Sequence, residues 1–110
     1  MAVKISSAED FESEVLKSAV PVLVDFYSDS CIPCKRMAPT LAELEEEYGG
    51  RFKLCKVNVN ANPALPERYG ILSAPTLVFF SGGLELSRKT GFMGKMPVRE
   101  LMNQILEESK

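Results

Sequence analysis

The run Val20-Pro-Val-Leu-Val-Asp-Phe-Tyr27, followed a short turn later by Cys31-Ile32-Pro33-Cys34, limits this chain to few architectures. The run is nearly all apolar and β-branched rather than alternating. That marks a strand covered on both faces, and so a sheet with helices above and below it. Two cysteines with two residues between them can close a small disulfide ring or share a metal. In an intracellular chain the first option makes a redox switch. Pro33 suits the first helical position, where its fixed φ is already helical and its missing N–H has no intrahelical partner. Cys31 then sits just ahead of a helix, facing free N–H groups and the positive end of the dipole. Both favour thiolate over thiol and can pull a free thiol from about 8.5 to about 7. Lys35 and Arg36 add favourable charge. Cys31 is thus the expected nucleophile and Cys34 the resolving thiol.

The totals narrow the alternatives. At 110 residues the chain is one ordinary domain, expected to span 1–110. The net charge is −2, and no basic patch offers itself to nucleic acid. No apolar run approaches the roughly 20 residues of a membrane span. Residues 1–7 lack the apolar core of a targeting segment, so a cytoplasmic protein is expected. Three cysteines there argue against a structural disulfide framework. The chain has no histidine, which removes Cys–His nucleophiles, His general bases and Cys2His2 zinc together.

Along the chain, residues 2–5 read as a short strand. Ser6 or Ser7 caps a helix with Ala8, Phe11 and Val15 on one face, ending near Ser18. After the strand at 20–27 comes the Cys31 helix. Met37, Leu41, Leu44 and Tyr48 mark its inner face, and Glu43 to Glu47 read as solvated. Pro39 should kink it, and Gly49-Gly50 ends it. A strand at 52–58, a short helix from Asn62-Pro63 to Gly70, and a strand at 76–80 follow. Gly82-Gly83 then turns the chain back into a strand at 84–90. A last helix from about Pro97 carries Val98, Leu101, Met102, Ile105 and Leu106 on one stripe. The order β-α-β-α-β-α-β-β-α predicts an α/β domain, with a mixed central sheet flanked by helices on both faces.

Asp25 stands out in Val22-Leu-Val-Asp-Phe26. A carboxylate among residues that are dry on both sides is costly, and desolvation raises its pKa. Such a group can exchange a proton at neutral pH. The alternative is a strand-end Asp that is solvated or caps the turn. Lys56 lies in Leu54-Cys-Lys-Val57, either facing inward or reaching solvent from an edge. Cys55 reads as a small buried hydrophobe, with a regulatory thiol as the alternative.

These residues together resemble the thioredoxins nearly end to end. The resemblance rests on Val24-Asp25-Phe26, Cys31-Ile-Pro-Cys34-Lys35, Pro39, Lys56-Val-Asn-Val-Asn, Asn62-Pro63, Tyr69-Gly-Ile71, Ala74-Pro-Thr-Leu77, Gly83 and Gly91. It implies the thioredoxin fold and reduction of protein disulfides, with re-reduction by a thioredoxin reductase drawing on NADPH or ferredoxin. It also implies no tightly bound cofactor and a monomer without nucleic-acid or membrane partners. It makes Asp25 the base that deprotonates Cys34, and Lys56 the partner of that carboxylate. By base rate only about 5% of X–Pro bonds are cis. The resemblance makes Pro75 cis, set against the active cysteines, and leaves the Ala74 backbone free to pair with an extended substrate. Ile32 and Pro33 would touch substrate. Gly91 would keep the groove beside them open, unless it is a plain turn glycine.

Two departures stand out. Ser30 takes the place of the family's usual tryptophan before the first cysteine, and Ile32 replaces its glycine. Tyr27 occupies another common tryptophan position, and the chain has no Trp. The surface around Cys31 is therefore not the family's standard docking face. Two rival readings remain. One is an oxidase or isomerase of the same fold, although such oxidants often have a His between the cysteines. The other is a metal- or cluster-bridged dimer, or a partner-binding module.

Overall fold

The computed structural model describes residues 2–108. Residues 1, 109 and 110, part of the expected 1–110 domain, lie outside the described residues. In chain order the elements are β1 (Val3–Lys4), α1 (Ala8–Phe11, continuing as a π-helical turn over Glu12–Leu16), β2 (Val22–Tyr27) and α2 (Ile32–Tyr48). A 3-10 turn (Gly49–Arg51) leads to β3 (Lys53–Asn58), α3 (Ala64–Arg68), β4 (Thr76–Ser81), β5 (Leu84–Thr90) and α4 (Lys95–Glu108). The five strands lie in the order β1-β3-β2-β4-β5. The pairs β1–β3 and β2–β3 are parallel, and β2–β4 and β4–β5 antiparallel, which gives the mixed sheet that the element order predicts.

The period-two alternation of β2 sorts the core into two layers. Val22, Val24 and Phe26 face α1 and α3, where they pack with Phe11, Val15, Leu65, Val78 and Phe80. Leu23 faces the other way, with Leu54, Leu77 and Phe79, against Met37, Leu41 and Leu44 of α2 and Val98, Met102 and Ile105 of α4. Helices therefore cover both faces. Asp25 shares the parity of Leu23 and belongs to the α2 face. So do Tyr27, Lys56 of β3, and Pro75 just ahead of β4.

Several boundaries differ from the sequence reading, each for a local reason. Ser7 rather than Ser6 caps α1: its Oγ accepts from the Asp10 N–H at 3.1 Å, while Asp10 Oδ2 accepts from the Ser6 N–H. That helix ends in a π turn, closed by the Lys17 N–H on the Glu12 carbonyl at 2.9 Å. The second strand begins at Val22 because the preceding residue is Pro21. Pro33 is the second helical residue, not the first, since α2 starts at Ile32. That position also needs no donor, as the first four N–H groups of a helix have no intrahelical acceptor. Helix α2 runs unbroken through Pro39. The last helix starts two residues earlier than Pro97, at Lys95.

The acidic run is not simply a solvated face. Lys95 of α4 reaches Glu43 at 2.8 Å and Arg99 reaches Glu47 at 2.7 Å, so two of the glutamates tie α2 to α4. Arg99 holds the Glu47 carboxyl below its usual range. Both pairs are solvent-screened, so they add little to stability.

Candidate active site

β2 delivers the chain to the C-terminal end of the sheet, and the turn after it places the first cysteine. The Cys31 N–H donates to the Ser28 carbonyl at 3.3 Å. Cys31 then serves as the N-cap of α2 in an extended conformation, and its Sγ accepts a hydrogen bond from the backbone N–H of Cys34 at 3.1 Å. A sulfur is thus the capping acceptor, where a Ser or Asp oxygen is more usual. Cys31 and Cys34 are joined as a disulfide, with their Cα atoms 5.2 Å apart. The two sulfurs are unequal. Cys31 is half-buried at the surface, whereas Cys34 is only 5% exposed. An incoming group meets Cys31 first.

Behind Cys34 lies a cavity of about 140 Å³, lined among others by Asp25, Tyr27, Asp29, Lys35 and Lys56. Asp25 is 3% exposed. Burial pushes its carboxyl from 3.8 up to about 6, and the positive charge of Lys56 opposes that rise. The cause is the one expected from its apolar neighbours. Lys56 is the Cα partner of Asp25 across the β2–β3 ladder and lies on the same face. Its side chain is half-buried, and its ammonium sits 4.7 Å from the centroid of the Tyr27 ring. A larger groove of about 830 Å³ runs between α2 and β3 and shares Ala38 and Lys56 with the small cavity.

The Ala74–Pro75 peptide is cis. Pro75 immediately precedes Thr76, which pairs with Phe26 near the end of β2, so it lies at the same end of the sheet as the cysteines. Ala74 makes no backbone hydrogen bond among the described residues. The Gly91 N–H donates to the Pro75 carbonyl at 2.8 Å, extending the β4–β5 ladder by one bond beyond Thr76 and Thr90. Gly91 has φ +91, a conformation side-chain-bearing residues rarely adopt, while an added Cβ would meet nothing within 4 Å. Its glycine is required by the backbone rather than by a close neighbour.

The structure brings Asp25, Cys34 and Lys56 to one cavity. It sets Cys31, Ile32 and Pro33 at the rim, and ties Gly91 to Pro75. Ile32 is 68% exposed. Two exposed apolar residues escaped the sequence reading. Phe92 is 51% exposed, and Arg36 of α2 lies over its ring at 5.2 Å, linking the CxxC helix to the loop after β5. Leu72 is 98% exposed in the loop before Pro75. An aromatic residue in Gly91-Phe-Met-Gly94, a stretch with no helix or strand pattern to bury it, was the available signal.

Cys55 is fully buried, and burial pushes its thiol up to about 11. It faces the α1 side of the sheet, away from the disulfide. Among the described residues, no group of three or more His, Cys, Asp or Glu side chains could hold a metal ion. None of their helices is long and apolar enough to cross a membrane.

The comparisons agree with this geometry. The family model described as Thioredoxin matches residues 2–107. A protein named "Thioredoxin" from Acidithiobacillus ferridurans is 39% identical over 105 residues, covering 96% of this chain and 97% of that one. Another "Thioredoxin", from Allochromatium vinosum, is 47% identical over 87 residues, 79% of this chain and 81% of its own. A "Thioredoxin 1" from a Nostoc strain is 41% identical over 96 residues, covering 87% and 90%.

Proposed function

This chain belongs to the thioredoxin family, and on that premise we propose a division of labour among the residues around its disulfide. The protein is a thiol–disulfide oxidoreductase of the protein-disulfide reductase type, acting through the Cys31–Cys34 pair. Members of the family work without a tightly bound cofactor.

In the reduced protein the Cys31 thiolate, capped by the Cys34 amide, attacks one sulfur of a substrate disulfide. A Cys31–substrate bond forms, the substrate S–S bond breaks, and the departing substrate thiolate takes a proton. Cys34 then gives its proton to the Asp25 carboxylate and attacks the Cys31 sulfur. The Cys31–Cys34 bond forms, the second substrate thiolate leaves, and two electrons have passed to the substrate. Asp25 suits this step because a carboxylate near pKa 6 is mostly ionised at pH 7, yet holds a proton far better than an ordinary Asp. Lys56 keeps that carboxylate from rising further. Ile32, Pro33, Ala74 and Pro75 form the surface on which an extended substrate segment lies, with the Ala74 backbone open to pair with it. Gly91 supports that surface through its bond to Pro75.

The reductant is a thioredoxin reductase fed by NADPH or ferredoxin, and the protein works as a cytoplasmic monomer. Cys55 supports the compartment: an unpaired thiol suits a reducing environment. The observation that carries the whole reading is the half-buried Cys31 capping α2 with its sulfur, with the buried Cys34 beside the Asp25 cavity. The test is the reduction potential of the pair in a dithiothreitol or glutathione series, read by mass after alkylation because no Trp reports it. A value near about −270 mV supports the reductant. A value near or above about −180 mV makes the protein an oxidase or isomerase instead.

A further inference from the structure

Lys56 lies opposite Asp25 in the ladder, yet it forms no ion pair with it; its ammonium rests on the face of Tyr27. We propose that Tyr27 is a positioning residue, whose ring holds the Lys56 ammonium at the mouth of the cavity and short of contact with the Asp25 carboxylate. Two placements carry this. Asp25, Tyr27 and Lys56 share one face of the sheet and line one cavity with Cys34. The ring centroid is 4.7 Å from the ammonium, within cation–π range. The charged groups facing this space are Asp29 from the turn, Lys35 from α2 and Lys4 from β1, with Glu45 and Glu46 of α2 and Lys53 of β3 along the larger groove that Lys56 also lines. Asp29 is exposed and accepts a hydrogen bond from the Asn58 amide at 3.1 Å, so it is engaged elsewhere.

The consequence follows from Coulomb's law in a poorly hydrated space. An ammonium in contact with Asp25 would return its carboxyl to the ordinary acidic range, and it could not then take the Cys34 proton near neutral pH. An ammonium lost to solvent would let burial drive the carboxyl higher. The ring fixes an intermediate distance. Without it, a mostly ionised Asp25 draws the freed ammonium inward. This inference rests on the reading of Asp25 as the base only for its catalytic meaning; the positioning itself is read without turnover.

The experiment is the titration of the Asp25 carboxyl in the oxidised protein, followed by carbon-13 NMR. Wild type and Tyr27→Phe are expected to titrate together, near 6. Tyr27→Leu, which keeps an apolar cover but no π face, is expected to titrate lower by roughly half a unit or more. In a Lys56→Gln background the same Tyr27→Leu change is expected to move nothing. An unmoved midpoint in Tyr27→Leu overturns the proposal, and so does an equal fall with and without Lys56. Should Tyr27→Leu not fold, fluorinated phenylalanines at 27 weaken the π face at nearly constant volume. A midpoint that falls with fluorination supports the proposal, and a flat series overturns it. If Asp25→Asn resolves mixed disulfides at the wild-type rate, the base reading fails while these titrations stand.

Discussion

The backbone N–H of Cys34 points at the sulfur of Cys31 across 3.1 Å, so the resolving residue caps the nucleophile with its amide. The amide belongs to the backbone and survives replacement of the Cys34 side chain. After reduction it faces a thiolate, and a hydrogen bond to an ionised acceptor is roughly twice as strong as a neutral one. Cys34→Ser should therefore keep a reactive Cys31 and stall as a mixed disulfide with a protein substrate, detected as a mass adduct without added reductant. Cys31→Ser should accumulate no adduct. An adduct on Cys34 in that variant would reverse the assignment of the two thiols.

Asp25 gives the protein a stability that depends on pH in an unusual direction. The folded carboxyl holds its proton up to about 6, whereas the ordinary value is 3.8. Between these values the folded state binds the extra proton, so stability falls as pH rises from about 4 to 6 and is level above. At pH 7 the buried charge costs on the order of 3 kcal/mol relative to a neutral group. Asp25→Asn should recover most of that at pH 7 and little near pH 4. Urea unfolding of both proteins at the two pH values measures it, and an equal gain at both would contradict the burial account.

Much of this was legible because each residue had one physical reading. The apolar run at 22–26, interrupted only by Asp25, read as a strand covered on both faces, which made Asp25 conspicuous. Gly49, Gly82 and Gly83 marked the ends of elements, and Pro33 between the cysteines placed both thiols at a helix start. What stayed hidden depends on facing and reach. Lys56 gave no sign of whether it points to solvent or to Asp25, and the answer, the Tyr27 ring, lies on another strand. Glu43 and Glu47 looked solvated because their partners, Lys95 and Arg99, are about fifty residues away in sequence. Phe92 follows no helical or strand period, so periodicity could not place it beside Arg36.

Cys55 separates a buried hydrophobe from a regulatory thiol. It is fully buried and its thiol is pushed up to about 11, so almost no thiolate exists at pH 7. Iodoacetamide applied to the native reduced protein should modify Cys31 and leave Cys55 untouched, while urea should expose it to full labelling. Native labelling of Cys55 at a rate comparable to Cys31 would restore the regulatory reading. Cys55→Ala should leave turnover unchanged and cost about 1 kcal/mol of stability, through the small void left beside Val24 and Val57.

Gly91→Ala isolates the backbone term. The new methyl meets nothing within 4 Å, so only the left-handed φ opposes it. A cost of about 1–3 kcal/mol is expected from that strain. If the chain relaxes φ, the bond from the residue 91 N–H to the Pro75 carbonyl is lost, and the ledge beside Cys31 shifts. Reduction of a protein disulfide should then fall more than reduction of a small aromatic disulfide, which needs no ledge. Equal losses on both substrates would mean that Gly91 serves folding alone.

The exposed apolar rim includes Ile32, one of the departures from the family's usual motif, and its effect should appear in partner choice rather than in chemistry. Ile32, next to Cys31, and Phe92, beneath Arg36 of the same helix, leave 68% and 51% of their surface open. Covering such a side chain on docking contributes on the order of 1 kcal/mol, or about fivefold in kcat/KM. Phe92→Ala should lower kcat/KM for protein disulfides by that factor and leave a small disulfide unaffected. It also removes the ring beneath Arg36, at a stability cost of about 0.5–1 kcal/mol. The paired change Ile32→Gly with Ser30→Trp restores the family's usual rim and should broaden the range of reductases and substrates accepted. The check is a panel of several reductases assayed with wild type and the double variant. Identical kinetics across that panel would mean that partner choice is set elsewhere on the surface.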